Sequence, residues 1–355
     1  MRRTTVPLAA MLPLAGWLWA SGADEEDKLV AFHAARAAAR PDDAAAQNML
    51  AGALIRRAES TGRAADYDAA WIALNKADAV EPGDPSTART RARLLLSRHR
   101  FPQALALAKA ELRKNPDDAA LLGVAADASF ETGDLDGALG YARRMHGLGA
   151  QLNTFARLSQ IEEAKGNLDE AIRLMEQAIE TGARKGAPAG SIAWCHAVMG
   201  ELRWKKGRPD EARREYEAGL AKAADHPLVL EHLSELERHA GNLKASEDSY
   251  RRLLAVRPDP VNQLRLAEVL NERGRREAAA ELRAQSHRKL RELVEGGNEG
   301  FLRPLAELEF EDGRFDEAAK LAARDLALRP NAESRALLEK ILNEAAAAGK
   351  PVNGF

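Results

Sequence analysis

The chain has 355 residues with 52 Lys and Arg against 54 Asp and Glu, so its formal net charge is -2 and it lacks the basic excess typical of nucleic-acid binding. Hydrophobic residues make up 45% of the chain but aromatic residues only 5%. A core built mainly from alanine and leucine suits closely packed helices and argues against a β fold.

Residues 1–23 have the pattern of a secretory leader. Arg2 and Arg3 supply the positive end, Val6–Ala20 is an uncharged and mostly apolar run, and small residues precede a cleavage point after Ala23. Because abundant alanine and arginine indicate a bacterium with a GC-rich genome, we expect export to the periplasm. The apolar run is shorter than the roughly 20 residues of a membrane span. An uncleaved anchor is the alternative, and no stable membrane anchor is expected after cleavage.

The mature chain is predicted to begin with one amphipathic helix from Asp24 to Arg40, which Pro41 ends. We interpret residues 24–41 as an N-terminal capping helix. Its apolar side is expected to carry Leu29, Phe32, Ala35 and Ala39.

One short motif then returns along the chain, and its clearest copy is Gly166-Asn167-Leu168-Asp169-Glu170-Ala171. A glycine that ends one helix, followed at once by the polar and acidic residues that start another, predicts two helices joined by a tight turn. The first residues of the copies are Ala65, His99, Gly133, Gly166, Gly207, Gly241, Gly274 and Gly313.

Successive copies are 34, 34, 33, 41, 34, 33 and 39 residues apart. The interval of 41 predicts an inserted loop at Arg184–Gly190, and the interval of 39 predicts extra residues near Glu295–Asn298 after a long helix. In the first repeat, Ser60–Ala64 predicts a long loop between the two helices. Prolines that stop the second helix of a repeat are Pro82, Pro116, Pro258 and Pro330.

Two further features recur within the repeats. The first helix carries an apolar residue followed by a small one, and the second helix carries Tyr216 or Tyr250. With the interval near 34 residues, these features resemble the tetratricopeptide repeat family over nearly the whole mature chain. The apolar–small pairs are Leu158-Ser159, Met199-Gly200, Leu233-Ser234, Leu266-Ala267 and Leu305-Ala306.

The resemblance implies an all-α fold, a right-handed α–α superhelix (solenoid) of about eight helix pairs and about eighteen helices, with no strand. The repeats are expected at residues 42–330, followed by a C-terminal capping helix at 331–349 and a flexible tail at 350–355. The inward-facing residues of the last helix are expected to be Leu337, Leu338, Ile341 and Leu342.

The sequence carries no catalytic or cofactor motif: it has no His-Glu-x-x-His, Gly-x-Ser-x-Gly, phosphate loop or haem attachment site. We therefore expect neither catalysis nor a cofactor. The single cysteine, Cys195, is expected to be a buried packing residue. His232, Glu235 and His239 share one face of a predicted helix and form a weak candidate metal site, which lacks an identifiable fourth zinc ligand.

In the tetratricopeptide repeat family the first helix of each repeat lines a concave groove, so the resemblance implies which side chains face a partner. The Lys and Asn pairs with which some members bind a peptide carboxylate have no match in this sequence. The groove is expected to carry Arg89, Arg93, Asp127, Phe130, Asn153, Gln160, Trp194, Glu201, Trp204, Glu231, Glu235, Arg238, Glu268 and Asn271, with Arg157 near its edge and Arg303, Glu307 and Phe310 in the last repeat.

This set changes from basic in repeat two to acidic in repeats five to seven, which predicts one orientation for a bound segment. Trp194 and Trp204 are expected either to anchor the partner or to fill space between repeats four and five. The predicted function is a non-catalytic scaffold of the cell envelope that binds a protein or peptide in its groove. The alternatives are an assembly subunit that binds through its outer face or ends and, less favoured, a metal-binding protein. No nucleic acid is expected as a partner.

Overall fold

The computed structural model describes residues 23–350 and 352, and this part of the chain is helical without any strand. Residues 1–22 of the leader predicted at 1–23, and most of the tail predicted at 350–355, lie outside the described residues. No described helix is long and apolar enough to cross a membrane. A 3-10 helix covers Glu299–Phe301. The described residues form eighteen α-helices, in agreement with the prediction of about eighteen: α1 (Ala23–Ala39), α2 (Ala44–Thr61), α3 (Ala64–Val80), α4 (Pro85–Ser97), α5 (Phe101–Lys114), α6 (Ala119–Glu131), α7 (Leu135–Leu148), α8 (Leu152–Ala164), α9 (Leu168–Arg184), α10 (Ala189–Lys205), α11 (Pro209–Lys222), α12 (Pro227–His239), α13 (Leu243–Val256), α14 (Pro260–Glu272), α15 (Arg276–Glu295), α16 (Leu302–Glu311), α17 (Phe315–Leu328) and α18 (Ala332–Ala347).

The chain divides into two compact units, Met1–Pro82 and Gly83–Phe355. In the first unit, α1 packs on α2, the first helix of the first repeat, and it buries Val30 and Ala37. The predicted apolar side of α1 is wrong. Alanines lie all round this helix, so the sequence pattern does not define which face is covered. The predicted side is half-buried at Leu29 and exposed at Phe32, Ala35 and Ala39.

The recurring motif is a helix C-terminal turn with two hydrogen bonds. Gly166 has φ 85°, a left-handed conformation that glycine adopts without steric cost. Its N–H donates to the carbonyl oxygen of Glu163 at 2.8 Å, and the N–H of Asn167 donates to that of Glu162 at 2.8 Å. This is the Schellman arrangement, which satisfies carbonyl groups at the end of one helix as the next helix begins. The same left-handed conformation and the same two hydrogen bonds recur at His99, Gly133, Gly207, Gly241, Gly274 and Gly313.

The first repeat departs from the predicted turn. Its left-handed residue is Gly62, with φ 73°, and not Ala65, which lies inside α3. The loop predicted at Ser60–Ala64 is also wrong, because α2 extends to Thr61 and α3 begins at Ala64. The extra residues of this repeat are therefore taken up by helix, since α2 has 18 residues.

The other two insertions are also mostly helical. α9 and α10 each have 17 residues, so the connection between repeats four and five is shorter than predicted. α15 has 20 residues, which confirms the long helix predicted before Glu295. Longer helices bury more surface between neighbouring repeats than a loop of the same length can bury.

Tight contacts between the two helices of a repeat explain the recurring small residues. A Cβ atom added at Gly200 in α10 would lie 2.2 Å from the ring of Tyr216 in α11. Tyr216 and Tyr250, the tyrosines of the second helices, are fully buried. At the C-terminal end, α18 covers the last repeat with Ile341 buried and Leu337, Leu338 and Leu342 packed beside it, as predicted.

The second unit closes on itself. The segment after α17 returns to the turns that end α4 and α6, although more than 190 residues separate them along the chain. The Cα atom of Asn331 lies 3.4 Å from the position that a Cβ at Gly133 would occupy. A Cβ would therefore fit there in ordinary contact, and it is the positive φ of 82° that favours glycine at this position.

Candidate binding groove

Charged side chains on the first helices of the repeats form one continuous face in the second unit. α4 contacts α6, and α10 contacts α12, across the second helix that intervenes in each case, so the first helices lie on the inside of the curve. Ion pairs join these helices: Arg157 on α8 donates to both oxygens of Asp127 on α6 at 2.6 and 2.9 Å, and Lys205 on α10 binds Glu163 on α8. We call this surface the inner face.

The basic end predicted for the inner face is largely neutralised. The guanidinium of Arg89 donates to Asp118, the residue that caps α6, at 2.5 Å. Asp127 is paired with Arg157, and Arg93 is half-buried. The predicted gradient from basic to acidic is therefore weaker at its N-terminal end than the sequence indicates, because local partners cancel those charges.

The acidic end keeps unpaired charge. Glu231 and Glu235 on α12 are half-buried, and among the described residues no Lys, Arg or His nitrogen lies within 4.0 Å of either carboxylate. Burial raises the pKa of Glu231 to about 7. It also raises the pKa of Glu235, against the opposing effect of Arg265. Both groups therefore lie in a groove where water screens their charge poorly.

Neighbouring cations are already bound to other carboxylates. Arg238 donates to Glu272 at 2.5 and 2.9 Å and also binds Glu268. Arg265 donates to Glu268 at 3.1 Å. The predicted residues Arg238 and Glu268 thus lie on the inner face, but they form an ion-pair network with each other.

Several predicted groove residues pack instead of facing a partner. Trp204 lies against the core between repeats five and six, with its ring centroid 5.0 Å from that of His239. Phe130 packs on the core between α6 and α8. Of the two roles considered for Trp204, its contacts support packing. The side chain packs between repeats five and six, whereas packing between repeats four and five was predicted. The remaining predicted positions are buried at Gln160, half-buried at Asn153, Trp194, Glu201, Arg303, Glu307 and Phe310, and exposed at Asn271.

His232, Glu235 and His239 do not converge on one point. His232 is buried beside the ring of Tyr216, whereas His239 is exposed and contacts Trp204. In the described part of the chain, no group of three or more His, Cys, Asp or Glu side chains could hold a metal ion. Cys195 is fully buried, and burial raises the pKa of its thiol, which gives it the character of a packing residue.

Sequence reasoning missed the contact that closes the second unit. Arg329 donates to Nδ1 of His99 at 3.0 Å, and its Nε lies 3.6 Å from the carboxylate of Glu131. The side-chain amide of Asn331 donates to the backbone carbonyl of Glu131 at 3.1 Å. We call His99, Glu131, Arg329 and Asn331 the closing contact.

A buried carboxylate, Asp325, stabilises the closing contact by binding Arg329. Asp325 is fully buried, accepts a hydrogen bond from Ser334 at 2.7 Å and binds both Arg303 and Arg329. Burial, followed by the charge of Arg329, lowers the pKa of His99 to about 3, so its imidazole is neutral and can accept the bond from Arg329. The available sequence signal was His99 itself, which occupies a left-handed position, φ 57°, where the other six copies of this turn have glycine.

Sequence comparison identifies the repeats directly. A tetratricopeptide repeat profile matches residues 89–151 and 198–262, and a second profile of the same family matches residues 152–181. With the helix pairs and turns described above, the chain is a tetratricopeptide repeat protein with a solenoid fold. No curated protein sequence matches the chain.

Solved structures share this fold at low sequence identity. A monomeric mutant of IFIT1 with m7Gppp-AAAA is similar with a TM-score of 0.54 at 16% identity, covering 81% of this chain and 72% of that chain. The APC/C hetero-tetramer Cut9–Hcn1 gives 0.43 at 13% identity over 93% and 68% of the two chains. PilW, a type IV pilus biogenesis factor, gives 0.48 at 16% identity over 56% and 90%. At 16% identity the similarity to IFIT1 shows the fold alone.

Proposed function

We propose that this protein is a non-catalytic scaffold of the bacterial cell envelope that binds a segment of a partner protein along its inner face. The observation that carries the proposal is the unpaired charge of Glu231 and Glu235. A solenoid is stabilised by the apolar contacts between neighbouring repeats, which do not require carboxylates in a poorly hydrated groove. Ionisable groups with perturbed pKa values concentrate at functional sites.

A protein partner fits this surface better than a nucleic acid. The IFIT1 structures contain m7Gppp-AAAA or Gppp-AAAA. In this chain the part of the inner face on α12 carries Glu231 and Glu235 without a paired cation, and these carboxylates would repel phosphate groups. An extended polypeptide can instead match the alternating charges that run along the first helices.

Export of the chain is part of the proposal. Arg2 and Arg3, the apolar run that follows them and the small residues before Asp24 support cleavage after Ala23. Mature protein isolated from the native host is expected in the periplasmic fraction with Asp24 as its first residue. Cytoplasmic protein that retains Met1 would refute the envelope location.

Site-specific cross-linking tests the inner face. A photo-reactive amino acid is placed at Asn271 or Glu307 on the inner face and, as matched controls, at the exposed positions Glu217 or Lys320 on the second helices. In envelope extracts we expect the two inner positions to cross-link to the same partner protein and the outer positions not to do so. Cross-links from the outer positions alone would overturn binding along the inner face.

The alternative, an assembly subunit that uses an outer surface, has its own supporting observation in the first unit. Phe32 is 62% exposed and Ile72 is 57% exposed, so two large apolar side chains face solvent. Single exposed apolar residues are common, so this observation is weaker than the unpaired carboxylates. Replacing Phe32 and Ile72 with serine should abolish complex formation if this alternative holds, and should leave it unchanged if the inner face binds the partner.

A further inference from the structure

The closing contact joins opposite edges of the second unit. His99 and Gly133 lie in turns between the two helices of a repeat, whereas Arg329 and Asn331 lie in the connection that follows α17, the second helix of its repeat. Because successive helices of a solenoid run in opposite directions, these two kinds of turn lie on opposite edges. Contact between them closes one turn of the superhelix, so the chain encloses the inner face.

A second point of closure lies beside the closing contact. The guanidinium of Arg100 lies 3.2 Å from the carboxylate of Glu299, the first residue of the 3-10 helix. A Cβ added at Gly300 would lie 2.8 Å from Nε2 of His99, so this short helix passes directly against the imidazole. The connection before α16 and the connection after α17 therefore both reach the turn that ends α4.

The closing contact is made by polar and charged side chains. Neighbouring repeats pack helix on helix, whereas among the described helices no such packing joins α4–α7 to α16–α18. The buried apolar side chains of α4–α7 and those of α15–α18 form separate clusters. Opening the contact would uncover polar groups and the ring of Phe101, over which Arg329 stacks with 5.5 Å to the ring centroid, while each core stays packed.

The residues of the contact keep partners in their own repeats when the contact is broken. Arg329 also binds Asp325 of α17, so opening does not leave it as an unpaired cation. The side-chain oxygen of Asn331 accepts a hydrogen bond from the N–H of Ser334 at 3.0 Å and caps α18. The turn at His99 is held by backbone hydrogen bonds within its own repeat. Both sides therefore stay in the geometry from which the contact can form again.

His99 indicates that closure has a cost within its own repeat. It has φ 57°, a left-handed conformation that glycine adopts without steric cost and that a residue with a Cβ adopts less readily. What its imidazole gains is the hydrogen bond from Arg329 at 3.0 Å. Backbone strain of this kind is concentrated in ligand clamps and switch regions.

We propose that the closing contact is a latch, which opens to admit a segment of the partner protein to the inner face and closes again over the bound segment. This inference rests on the proposed function, because it states how the segment reaches the inner face. Opening is favoured over threading of a chain end because the contact is polar and its residues are held in place by their own repeats. A latch admits a segment from the middle of a partner chain with folded domains on both sides, whereas permanent closure would require a free chain end.

A disulfide across the contact tests the latch in the mature chain. A Cβ at Gly133 would lie 3.5 Å from the Cβ of Asn331, a separation found in disulfides. Gly133→Cys/Asn331→Cys, with the photo-reactive amino acid at Asn271, is therefore locked when oxidised and free when reduced. The reduced form carries the same substitutions and is the matched control for any loss of stability. Cys195 is buried and does not compete for the disulfide.

The order of oxidation and mixing gives the expected result. In envelope extracts, protein oxidised beforehand should cross-link to the partner about tenfold less than reduced protein, because the competent open state is removed. Protein oxidised after mixing should keep its partner through a dilution that releases the partner from reduced protein. Equal cross-linking of reduced and previously oxidised protein would overturn the latch and keep the proposed function. Absence of inner-face cross-links in both the reduced variant and the wild type would overturn the proposed function, and the latch with it.

A second variant weakens the latch without a new covalent bond. His99→Gly/Arg100→Gln removes the hydrogen bond from Arg329 and the ion pair with Glu299, and it relieves the left-handed strain. Its partner should therefore cross-link faster than the partner of the wild type. The matched control is Arg208→Gln, which changes the residue after the turn glycine of the fifth repeat, outside the closing contact.

A distance measurement on the free protein completes the test. Spin labels are attached to cysteines at the exposed positions Gln103 and Arg335, on α5 and α18. The double variant should show a population with a distance longer by about 10 Å, the thickness of an extended chain with its side chains, and the control should not. Identical distance distributions in the wild type, the double variant and the control would overturn the latch.

Discussion

Two sets of ionisable side chains lie within the second unit, and they differ in whether their charges are paired. Behind the closing contact, Asp325 is fully buried, yet it has two arginines and a serine as partners. On α12, Glu231 and Glu235 are only half-buried, yet neither has a cation within 4.0 Å. Burial of a charged side chain therefore does not by itself identify a binding site. A satisfied buried charge holds the fold together, and an unsatisfied one marks a surface suited to a ligand.

The largest loss of stability is expected when α18, which covers the last repeat and supplies Ser334 to Asp325, is deleted. Deleting Ala332–Ala347 would expose the core of the last repeat, including Leu321, and would remove Ser334 from Asp325. A solenoid needs a polar cap on its terminal repeat, so we expect aggregation or a strongly lowered melting temperature. Truncation after Gly349 is the control. Unchanged solubility and melting of the longer deletion would show that α18 is dispensable.

A single substitution of the paired carboxylate Asp325 should lower the stability of the fold nearly as much. Asp325→Ala leaves Arg303 and Arg329 as buried cations without their shared carboxylate. Removing one partner from a buried ion pair costs about 3–5 kcal/mol. Asp316→Ala, at an exposed position in the first turn of α17, should cost under about 1 kcal/mol. Urea unfolding of the two variants gives the comparison, and equal midpoints would contradict a structural role for Asp325.

Sequence reasoning predicted the fold because the signals of this fold are local. The Schellman turn at Gly166 and its copies uses residues within six positions of one another, so each copy can be recognised alone. It failed at Ala65 because the repeat interval was held near 34 residues, whereas α2 is longer than the other first helices of early repeats. It failed on the face of α1 because alanine does not distinguish a covered side from an exposed one.

The sequence predicted candidate positions for the site, but it did not predict which of their charges would be paired. The first-helix spacing predicted Glu231 and Glu235 for the inner face, and both are half-buried on α12. Whether a charge is paired depends on residues of the neighbouring repeat, as with Arg157 and Asp127, which are 30 residues apart. The closing contact joins residues 230 positions apart, a distance over which local patterns carry no information.

Three carboxylates with raised pKa values, two of them paired and one unpaired, should make stability depend on pH in a defined direction. The pKa values of Glu131, Glu163 and Glu231 are raised to about 7 by burial, against an ordinary value of 4.5. The folded state therefore binds more protons than the unfolded state between pH 4.5 and pH 7, and stability falls as the pH rises through that window. Buried His99 and His226, with pKa values lowered to about 3 and about 4, act in the opposite direction only below pH 6.5. We therefore expect a higher melting temperature at pH 6.5 than at pH 8.

Glu231→Gln isolates one of these carboxylates. At pH 8 the variant should melt about 1–2 °C higher than the wild type, a small shift because the half-exposed charge is partly screened. At pH 5 the two proteins should melt together, since Glu231 is then protonated in the folded state. Glu277→Gln, which removes an exposed carboxylate, should show no difference at either pH. A variant that is less stable than the wild type at pH 8 would mean that Glu231 has a stabilising partner.

The smallest effect concerns His99, where two contributions nearly cancel. His99→Gly relieves the left-handed conformation, which costs a residue with a side chain about 1–2 kcal/mol, but it loses the hydrogen bond from Arg329, worth about 1 kcal/mol. We therefore expect little change at pH 7. His99→Ala keeps the strain and loses the bond, so it should be less stable than His99→Gly by about 1–2 kcal/mol.

At low pH, the stability of the wild type should differ from that of His99→Gly. The pKa of folded His99 is lowered to about 3, so its contribution is fully present above pH 6.5 and is lost as the pH falls toward 3, because only the unfolded state takes up the proton in that window. The glycine variant has no such group, and it should become the more stable of the two below about pH 5. Thermal unfolding of both proteins at pH 7.5 and pH 4.5 measures this crossing. Parallel melting temperatures would mean that His99 can be protonated in place, and that the closing contact does not depend on a neutral imidazole.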